Sequence, residues 1–416
     1  MNTFPYPIRI FNCHSAALSD DTRIASQMNK IIRLNSWIGV ILGETGIPGL
    51  RIDFNCGLRI QIPDGDWHVR IFDYDKEQIF FDESVSETIL ISMETYYIHW
   101  QIEISYQSRL VFTHTFNPKN QSVCFVAMDD CALGDVISFL PYLGAFREKY
   151  HADITCHIPL FLQGIVRRLY PDLPFVEHVP DDSYATYFLN VGLDHFISLP
   201  IDGHYVPLHH IGMITLGLNH PAPIPRMQKN PRKITEPYVC IAVQASTAIK
   251  GWLYPDGWNI LCRHLKCMGY RVLCIDRDRK CEDNGIRITI PAEAEDFTGN
   301  HPLEDRADLL SHAEFFIGLC SGLAWLANLV RCPVVMIGGF SYYWYEFPDA
   351  YRVYNHFSCY GCMNDTHVDY YKNTCPRHPI DSPRYLECSK SISPRQVIRA
   401  VEELLEDRKH IRAGEF

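Results

Sequence analysis

The chain lacks both a long hydrophobic run and an excess of positive charge. Its most apolar uncharged run, residues 315–330, falls short of the ~20 residues that a membrane-spanning helix needs. The formal net charge of −11 argues against a broad surface for nucleic acid or for anionic membranes. The first residues do not form a basic stretch followed by an apolar core, so we expect no secretory signal. Any site for an anion must therefore be a local pocket of a globular protein.

A disulfide scaffold is also excluded, although cysteine itself is not rare. The chain has 16 cysteines among 416 residues, which is too few for a scaffold of this length. All but four of them lie singly in apolar segments, as free buried thiols do in a reducing cytoplasm. The length predicts two or three domains rather than one.

The first 118 residues have the pattern of β structure and no catalytic constellation. Short segments rich in Ile, Phe, Tyr and Val alternate with turn signals such as the Pro-Asp-Gly-Asp at residues 63–66. We expect a small barrel or sandwich in residues 1–118, suited to acceptor docking or self-assembly. The predicted strands are 58–63, 68–73, 78–81, 88–93 and 96–106.

The rest of the chain is predicted to be α/β. Residues 119–218 and 238–350 each alternate apolar strands with helical patterns, which is typical of parallel, Rossmann-like domains. The predicted elements include a helix at residues 160–169 and a strand at residues 334–337. The proline-rich segment 219–237 between them is predicted to be a linker. Such an arrangement predicts a cleft between two facing sheets, with functional residues at the strand ends. A polar, cysteine-bearing module in residues 351–393 and a helix in residues 394–416 complete the predicted order.

A strand–turn–helix–strand unit in residues 315–337 is the first candidate site. Ser321, Gly322 and Leu323 stand where its helix begins. Small residues there allow a phosphate to approach free backbone N–H groups, and the helix dipole favours its negative charge. The alternative is a buried helix after an ordinary glycine turn.

Two more strand ends add candidates for nucleotide binding. Residues 244–252 follow one predicted strand and contain Thr247, Lys250 and Trp252. A lysine beside hydroxyl groups suits a diphosphate, although a lone loop lysine is more often only solvated. Asp276 ends the next strand and could accept hydrogen bonds from ribose hydroxyls.

Carboxylates before the first α/β helix are candidates for a general base. Asp135 follows Leu133 and Gly134 after a buried strand, where it could be a base or an ordinary N-cap. Asp130, with its neighbour Asp129, lies on the same loop and is a rival for the role.

Four grouped cysteines predict a metal site. Their spacing is C-x2-C-x12-C-x12-C, and four thiolates with a C-x-x-C start favour tetrahedral coordination of zinc or of a single iron. All four ligand positions are filled, so the predicted site is structural rather than catalytic, and the metal would fold the segment. The predicted ligands are Cys359, Cys362, Cys375 and Cys388.

In this order, the motifs resemble glycosyltransferase family 9, the lipopolysaccharide heptosyltransferases. The shared patterns are L/M-G-D at residues 133–135, A-S-x-x-x-K-x-W at residues 245–252, and T/S-G-L at residues 321–323. The chain departs from the family at Cys320 and Trp325, where an Asp and a His are usual. The resemblance implies a GT-B fold, inversion at the anomeric carbon and no catalytic metal.

The same resemblance implies roles for three residues. Asp135 would be the base, and Lys250 and Ser321 would contact the phosphates of an ADP-sugar. The cysteine module, the β-rich N-terminal region and the S-G-L-A-W-L-A helix are together similar to the bacterial autotransporter heptosyltransferases. That resemblance implies a cytoplasmic enzyme that moves heptose from ADP-heptose to serines of an autotransporter passenger domain. It also implies iron at the four cysteines and a large ring-like homo-oligomer, with a dodecamer as the candidate.

Two other functions remain open. One is a lipopolysaccharide heptosyltransferase of the same fold. The other is an inactive sugar-nucleotide-binding scaffold that assembles through its metal module.

Overall fold

The computed structural model of the chain describes residues 10–12, 22–190, 199–368 and 374–413. In its first part, β-branched and aromatic segments form strands, as their composition favours. Each of the five strands predicted there overlaps an observed one. The elements of this part are β1 (Ile10–Asn12), α1 (Thr22–Ile38), β2 (Arg51–Asn55), β3 (Arg59–Ile62), β4 (Trp67–Asp73), β5 (Gln78–Val85), β6 (Thr88–Ser92), β7 (Trp100–Tyr106) and β8 (Arg109–Thr115).

The next part alternates buried strands with helices that each bury an apolar side. Its helix α3 has the predicted bounds. The elements are β9 (Ser122–Val126), α2 (Leu133–Tyr150), β10 (Asp153–His157), α3 (Leu160–Leu169), β11 (Ala185–Phe188) and α4 (Leu208–Thr215), with a short 3₁₀ turn at Gly203–Tyr205 before α4.

The last part repeats this alternation after residues 219–237, which contain no helix or strand. The predicted strand at residues 334–337 is confirmed. The elements are β12 (Tyr238–Ile241), α5 (Gly257–Cys267), β13 (Arg271–Cys274), β14 (Lys280–Asp283), β15 (Ile286–Thr289), β16 (Glu295–Asp296), α6 (Leu303–His312), β17 (Phe316–Leu319), α7 (Gly322–Leu329), β18 (Val334–Ile337), β19 (Tyr351–Val353), α8 (Glu387–Lys390) and α9 (Pro394–Ala413), with 3₁₀ turns at Ala248–Lys250 and Cys362–Asn364.

The strands form two large sheets. One has seven strands in the order β1-β6-β3-β2-β11-β9-β10, and we call this sheet with α2, α3 and α4 the front lobe. The other has six parallel strands in the order β16-β13-β12-β17-β18-β19, and we call it with α5, α6, α7 and α9 the rear lobe. Both sheets have parallel strands whose carboxyl ends carry the loops of the candidate site.

The strands of residues 1–118, predicted to form a small barrel or sandwich, lie in two sheets. Strands β2, β3 and β6 extend the front sheet, because β2 pairs in parallel with β11 through Phe54 and Asn55. Strands β4, β5, β7 and β8 form an open antiparallel sheet, and its edge strands β5 and β8 do not pair with each other. The buried side chains of both sheets belong to one core with those of the front helices.

The two lobes touch closely where α2 meets α7. A β-carbon added to Gly322 would lie 2.6 Å from the β-carbon of Leu133, and one added to Gly134 would lie 3.0 Å from Cδ1 of Trp325. Glycine at both positions therefore permits the helix starts to pack against each other. Within the described ranges, no helix has both the length and the apolar character needed to cross a bilayer.

Candidate active site

A cavity of about 550 Å³ opens between the two lobes at the carboxyl ends of their parallel strands. The start of α2 forms its front wall, and loops after β12, β13 and β17 form its rear wall. All the predicted catalytic and substrate-binding residues line this cavity except Asp130 and Trp252. Its lining includes Leu133, Gly134, Asp135, Leu208, Gln244, Ser246, Thr247, Lys250, Asp276, Asp283, Cys320, Ser321, Gly322, Leu323, Trp325, Phe340, Tyr345, Glu346 and Met363.

Asp135 lies in the first turn of α2 and faces the cavity from the front lobe. Burial raises the pKa of its carboxyl group to about 7, Lys250 acts to lower it, and Glu346 acts to raise it. A carboxylate with a pKa near neutrality is suited to accept a proton from a hydroxyl group. Asp130, the rival base, is exposed and does not line the cavity.

Lys250 faces Asp135 from the rear lobe, at the end of a 3₁₀ turn. Its Nζ donates to Oγ of Ser246 at 3.2 Å and lies 4.9 Å from the centre of the Phe340 ring. The turn is held by Asp283, whose carboxylate accepts hydrogen bonds from the Thr247 hydroxyl at 3.0 Å and the Ala248 amide at 2.8 Å. The Thr247 hydroxyl thus has a partner within the protein.

Ser321 occupies the N-cap position of α7 with an extended backbone, φ −145° and ψ 167°. Its Oγ is buried and has no hydrogen-bond partner among the residues that the structure describes, although an N-cap hydroxyl usually bonds to its own helix. The first amides of a helix also lack intrahelical acceptors. An anion bound here would therefore meet the amides of Gly322 and Leu323, a hydroxyl group and the positive end of the helix dipole.

The structure corrects the predicted role of Trp252. Its side chain is buried in the rear core, where the indole N–H donates to the Ile392 carbonyl at 2.7 Å and the ring packs edge-on against Trp258. It therefore joins the loop of Lys250 to the C-terminal part of the chain and does not reach the cavity.

Asp276 reaches the cavity wall, but its carboxylate is already engaged. It accepts hydrogen bonds from the amides of Val243 at 2.7 Å and Gln244 at 3.2 Å, and it is 2% exposed. Burial raises its pKa to about 6, against the effect of these bonds. The predicted contact with ribose hydroxyls is thus in competition with a structural role at the end of β12.

Sequence reasoning missed two acidic residues of the site, Glu346 and Asp283. Glu346 is buried and accepts hydrogen bonds from the Trp325 indole at 2.8 Å and the Ser341 hydroxyl at 3.0 Å. Neither residue stands in a recognisable motif, and only the tertiary structure brings them to the cavity. The single available signal was the pattern of apolar neighbours around Glu346, which predicts burial of a charged side chain.

The four grouped cysteines lie in the segment that follows β19. Cys362 and Cys375 pack against one small apolar cluster near Phe340. Burial, and to a smaller extent the proximity of the other three thiols, raises the pKa of the Cys388 thiol to about 12. Among the residues that the structure describes, no group of three or more Cys, His, Asp or Glu side chains has the arrangement of a metal site.

Comparison with protein families matches two parts of the chain. The family described as "Glycosyltransferase TibC, N-terminal domain" matches residues 46–108, and "Glycosyltransferase family 9 (heptosyltransferase)" matches residues 218–343. The first match covers strands that extend the front sheet, and the second covers most of the rear lobe.

Similar proteins extend the comparison to nearly the whole chain. The autotransporter heptosyltransferase TibC of Escherichia coli O78:H11 is 36% identical over 376 residues, which cover 87% of this chain and 91% of TibC. The inactive autotransporter heptosyltransferase BimC of Burkholderia thailandensis is 33% identical, with 86% of each chain covered.

TibC also provides solved structures for comparison. The crystal structure of TibC is that of an iron-containing dodecameric glycosyltransferase. It superposes on this chain with a TM-score of 0.82 and 34% identity, and the match covers 89% of this chain and 98% of TibC. A second structure of TibC is a complex with ADP-D-beta-D-heptose, and its TM-score is 0.80. With identity above one third over most of both chains, this chain belongs to the autotransporter heptosyltransferase family.

Proposed function

We propose that the chain transfers heptose from ADP-heptose to serine hydroxyls of an autotransporter passenger protein. The observation that carries this proposal is the meeting of Asp135, Lys250 and Ser321, from both lobes, around one cavity. The complex of TibC with ADP-D-beta-D-heptose supports the choice of donor, and the similarity to TibC as an autotransporter heptosyltransferase supports the choice of acceptor. We infer that the two lobes form a GT-B arrangement.

The reaction follows from the positions of these side chains. Asp135 accepts the proton of the serine hydroxyl while the serine oxygen forms a bond to the anomeric carbon of heptose. The bond from that carbon to the β-phosphate oxygen breaks, and its electron pair leaves with ADP. Attack from the front lobe on a donor held by the rear lobe inverts the anomeric centre.

The leaving diphosphate is stabilised from the rear lobe. Lys250 supplies a positive charge, and Ser321 and the first amides of α7 supply hydrogen-bond donors. Each such donor, and the base itself, contributes on the order of 10²–10⁴ in rate. We propose that the transfer needs no catalytic metal.

Cys359, Cys362, Cys375 and Cys388 are proposed to hold one structural metal ion. The chemistry of the donor set suits such an ion, because four thiolates are the usual ligands of a tetrahedral zinc or iron site. Iron is favoured because TibC is iron-containing, and zinc is the alternative. The ion would supply cross-links between irregular loops and no chemistry at the cavity.

The assembly proposed with this function is a homo-oligomer in the bacterial cytoplasm. The dodecameric state of TibC supports a ring of twelve copies, and the N-terminal strands that match the TibC domain family are candidates for its contacts.

The test is to incubate the purified protein with labelled ADP-heptose and either a passenger protein or a lipopolysaccharide acceptor. We expect label on serines of the passenger protein only, located by mass spectrometry. Label on the lipid alone would contradict the proposal. Asp135→Asn should reduce transfer about 10³-fold or more while ADP still binds, and Asp130→Asn should retain activity.

A second candidate function is an inactive scaffold that binds the sugar nucleotide. The 33% identity to BimC, which is an inactive member, favours keeping it. Binding of ADP-heptose without turnover on any passenger protein would establish this alternative.

A further inference from the structure

Glu346 is a buried carboxylate on the wall of the cavity, beside the proposed base. It is 5% exposed, and each of its carboxylate oxygens has a donor. Oε2 accepts from the Trp325 indole N–H at 2.8 Å, and Oε1 accepts from the Ser341 hydroxyl at 3.0 Å. A buried carboxylate held on both oxygens has a fixed position.

The partner of Glu346 contacts the turn that carries Asp135. The indole of Trp325 lies so near Gly134 that a β-carbon there would be 3.0 Å from the ring. The ring is also held edge-on by Phe347, with 5.0 Å between the centroids. A chain of direct contacts therefore runs from Glu346 through Trp325 to the residue before Asp135.

Charged groups near Asp135 come from three directions. Lys250 stabilises the charged form of Asp135, and Glu346 destabilises it. On the loop before α2, Cys131 and Asp130 are further titratable groups. The pKa of the Cys131 thiol is raised to about 11 by burial and by Asp130 and Asp135, so this thiol is neutral near pH 7.

A histidine and an arginine lie close to Glu346. His209, on α4, faces the backbone of Glu346, and burial with the neighbouring His210 lowers its pKa to about 4. The guanidinium of Arg352 lies one hydrogen bond further, on the backbone oxygen and hydroxyl of Ser341 at 3.2 and 3.3 Å. Two carboxylates of the cavity titrate near neutrality, Asp135 with a pKa of about 7 and Asp276 with a pKa of about 6, and the Asp135→Asn variant tells their effects apart.

We infer that Glu346 is a positioning residue for Asp135. Glu346 holds Trp325 against Gly134 and places a second negative charge beside the base. This inference rests on the proposed function for its kinetic meaning. Its structural content, the coupling of two carboxylates across the lobes, is independent of the acceptor.

The inference sets a direction for the pH dependence. Asp135 must be deprotonated to act, so transfer falls as the pH drops through its pKa of about 7. The negative charge of Glu346 raises that pKa, and its removal should lower it. The acid limb of kcat/KM should then move to lower pH in Glu346→Gln, by about one unit.

The experiment compares pH profiles of transfer for the full chain and three variants. Glu346→Gln should show the shifted acid limb and a kcat reduced several-fold at pH 8, with ADP affinity within about twofold of the parent. Trp325→Phe keeps the charge and removes the indole donor, so its kcat should fall without a shift to lower pH. Asp349→Asn, an exposed carboxylate on the same loop, is the matched control and should leave the profile unchanged.

A turnover-independent measurement keeps the inference separate from the proposed function. An infrared titration can follow the protonated carboxyl band that is missing in Asp135→Asn. Its midpoint should lie near pH 7 in the parent and lower in Glu346→Gln. Equal midpoints in folded Glu346→Gln and parent protein would overturn the inference. A parent protein that shows this shift but no transfer would instead overturn the proposed function.

Discussion

The contacts of Lys250 show how its side chain is oriented toward the cavity. Its ammonium group has an aromatic ring, Phe340, on one side and the Ser246 hydroxyl on another. Both contacts orient a flexible side chain without neutralising it with a carboxylate. The ammonium group is therefore held where it can contact a diphosphate in the cavity.

Lys250→Ala should weaken binding of ADP by about 10- to 100-fold, because hydrogen bonds to charged groups contribute about 1.5–3 kcal/mol. Calorimetric titration of ADP measures the effect. Lys280→Ala is the matched control, since Lys280 is an exposed lysine of the nearby β14 and lies outside the cavity lining. Equal losses in both variants would mean that only the general field of the lobe matters.

At the scale of elements, the contact between the first turns of α2 and α7 determines how the base Asp135 faces the donor site around Ser321. The contact is steric, between Gly322 and Leu133 on one side and Gly134 and Trp325 on the other. Each of these glycines belongs to a motif that also carries a site residue, Ser321 or Asp135. The same short sequences therefore serve the chemistry and the packing between lobes.

Gly322→Ala should separate the helix starts, because its β-carbon would approach Leu133 to 2.6 Å. Overpacking of this kind costs about 1–3 kcal/mol. We expect a lower thermal midpoint and a kcat reduced about tenfold. Adding Leu133→Gly, which removes the β-carbon that clashes, should restore much of both losses, with Leu133→Gly alone as the reference. A double variant no better than Gly322→Ala would exclude this contact as the cause.

At the scale of the whole molecule, the cysteine-bearing segment joins the two lobes. The Ser389 hydroxyl donates to the carbonyl of Gly251, next to Lys250. From the other end of the segment, the Asn364 side chain donates to the His204 carbonyl of the front lobe at 2.9 Å. A structural change in this segment should therefore affect both walls of the cavity.

Cys375→Ser should remove the bound metal and lower the thermal midpoint, because the ion is proposed to hold these loops together. Elemental analysis should give about one metal ion per chain in the parent and close to none in the variant. Cys267→Ser, at an exposed free cysteine, should leave both unchanged. Metal content equal to the parent's in Cys375→Ser would contradict the proposed ligand set.

The sequence by itself determined the parts of this protein that depend on local pattern. Apolar strands, helix starts and glycine turns are short-range features, and β18 and α3 were predicted to the residue. The cavity residues Asp135, Lys250 and Ser321 were found because each stands at the end of a parallel strand, and such ends meet at one edge. The remaining domain boundaries and the cysteine ligands stay predictions.

Only the tertiary structure decided where side chains point and which distant strands pair. It joined β2 to β11, a pairing between remote strands that leaves no periodic signal in the sequence. In the folded chain, the side chain of Trp252 is buried in the rear core, and the carboxylate of Asp276 accepts hydrogen bonds from backbone amides. The tertiary structure also brought Glu346 to Asp135 from more than two hundred residues away, because burial and partner geometry are properties of the folded chain.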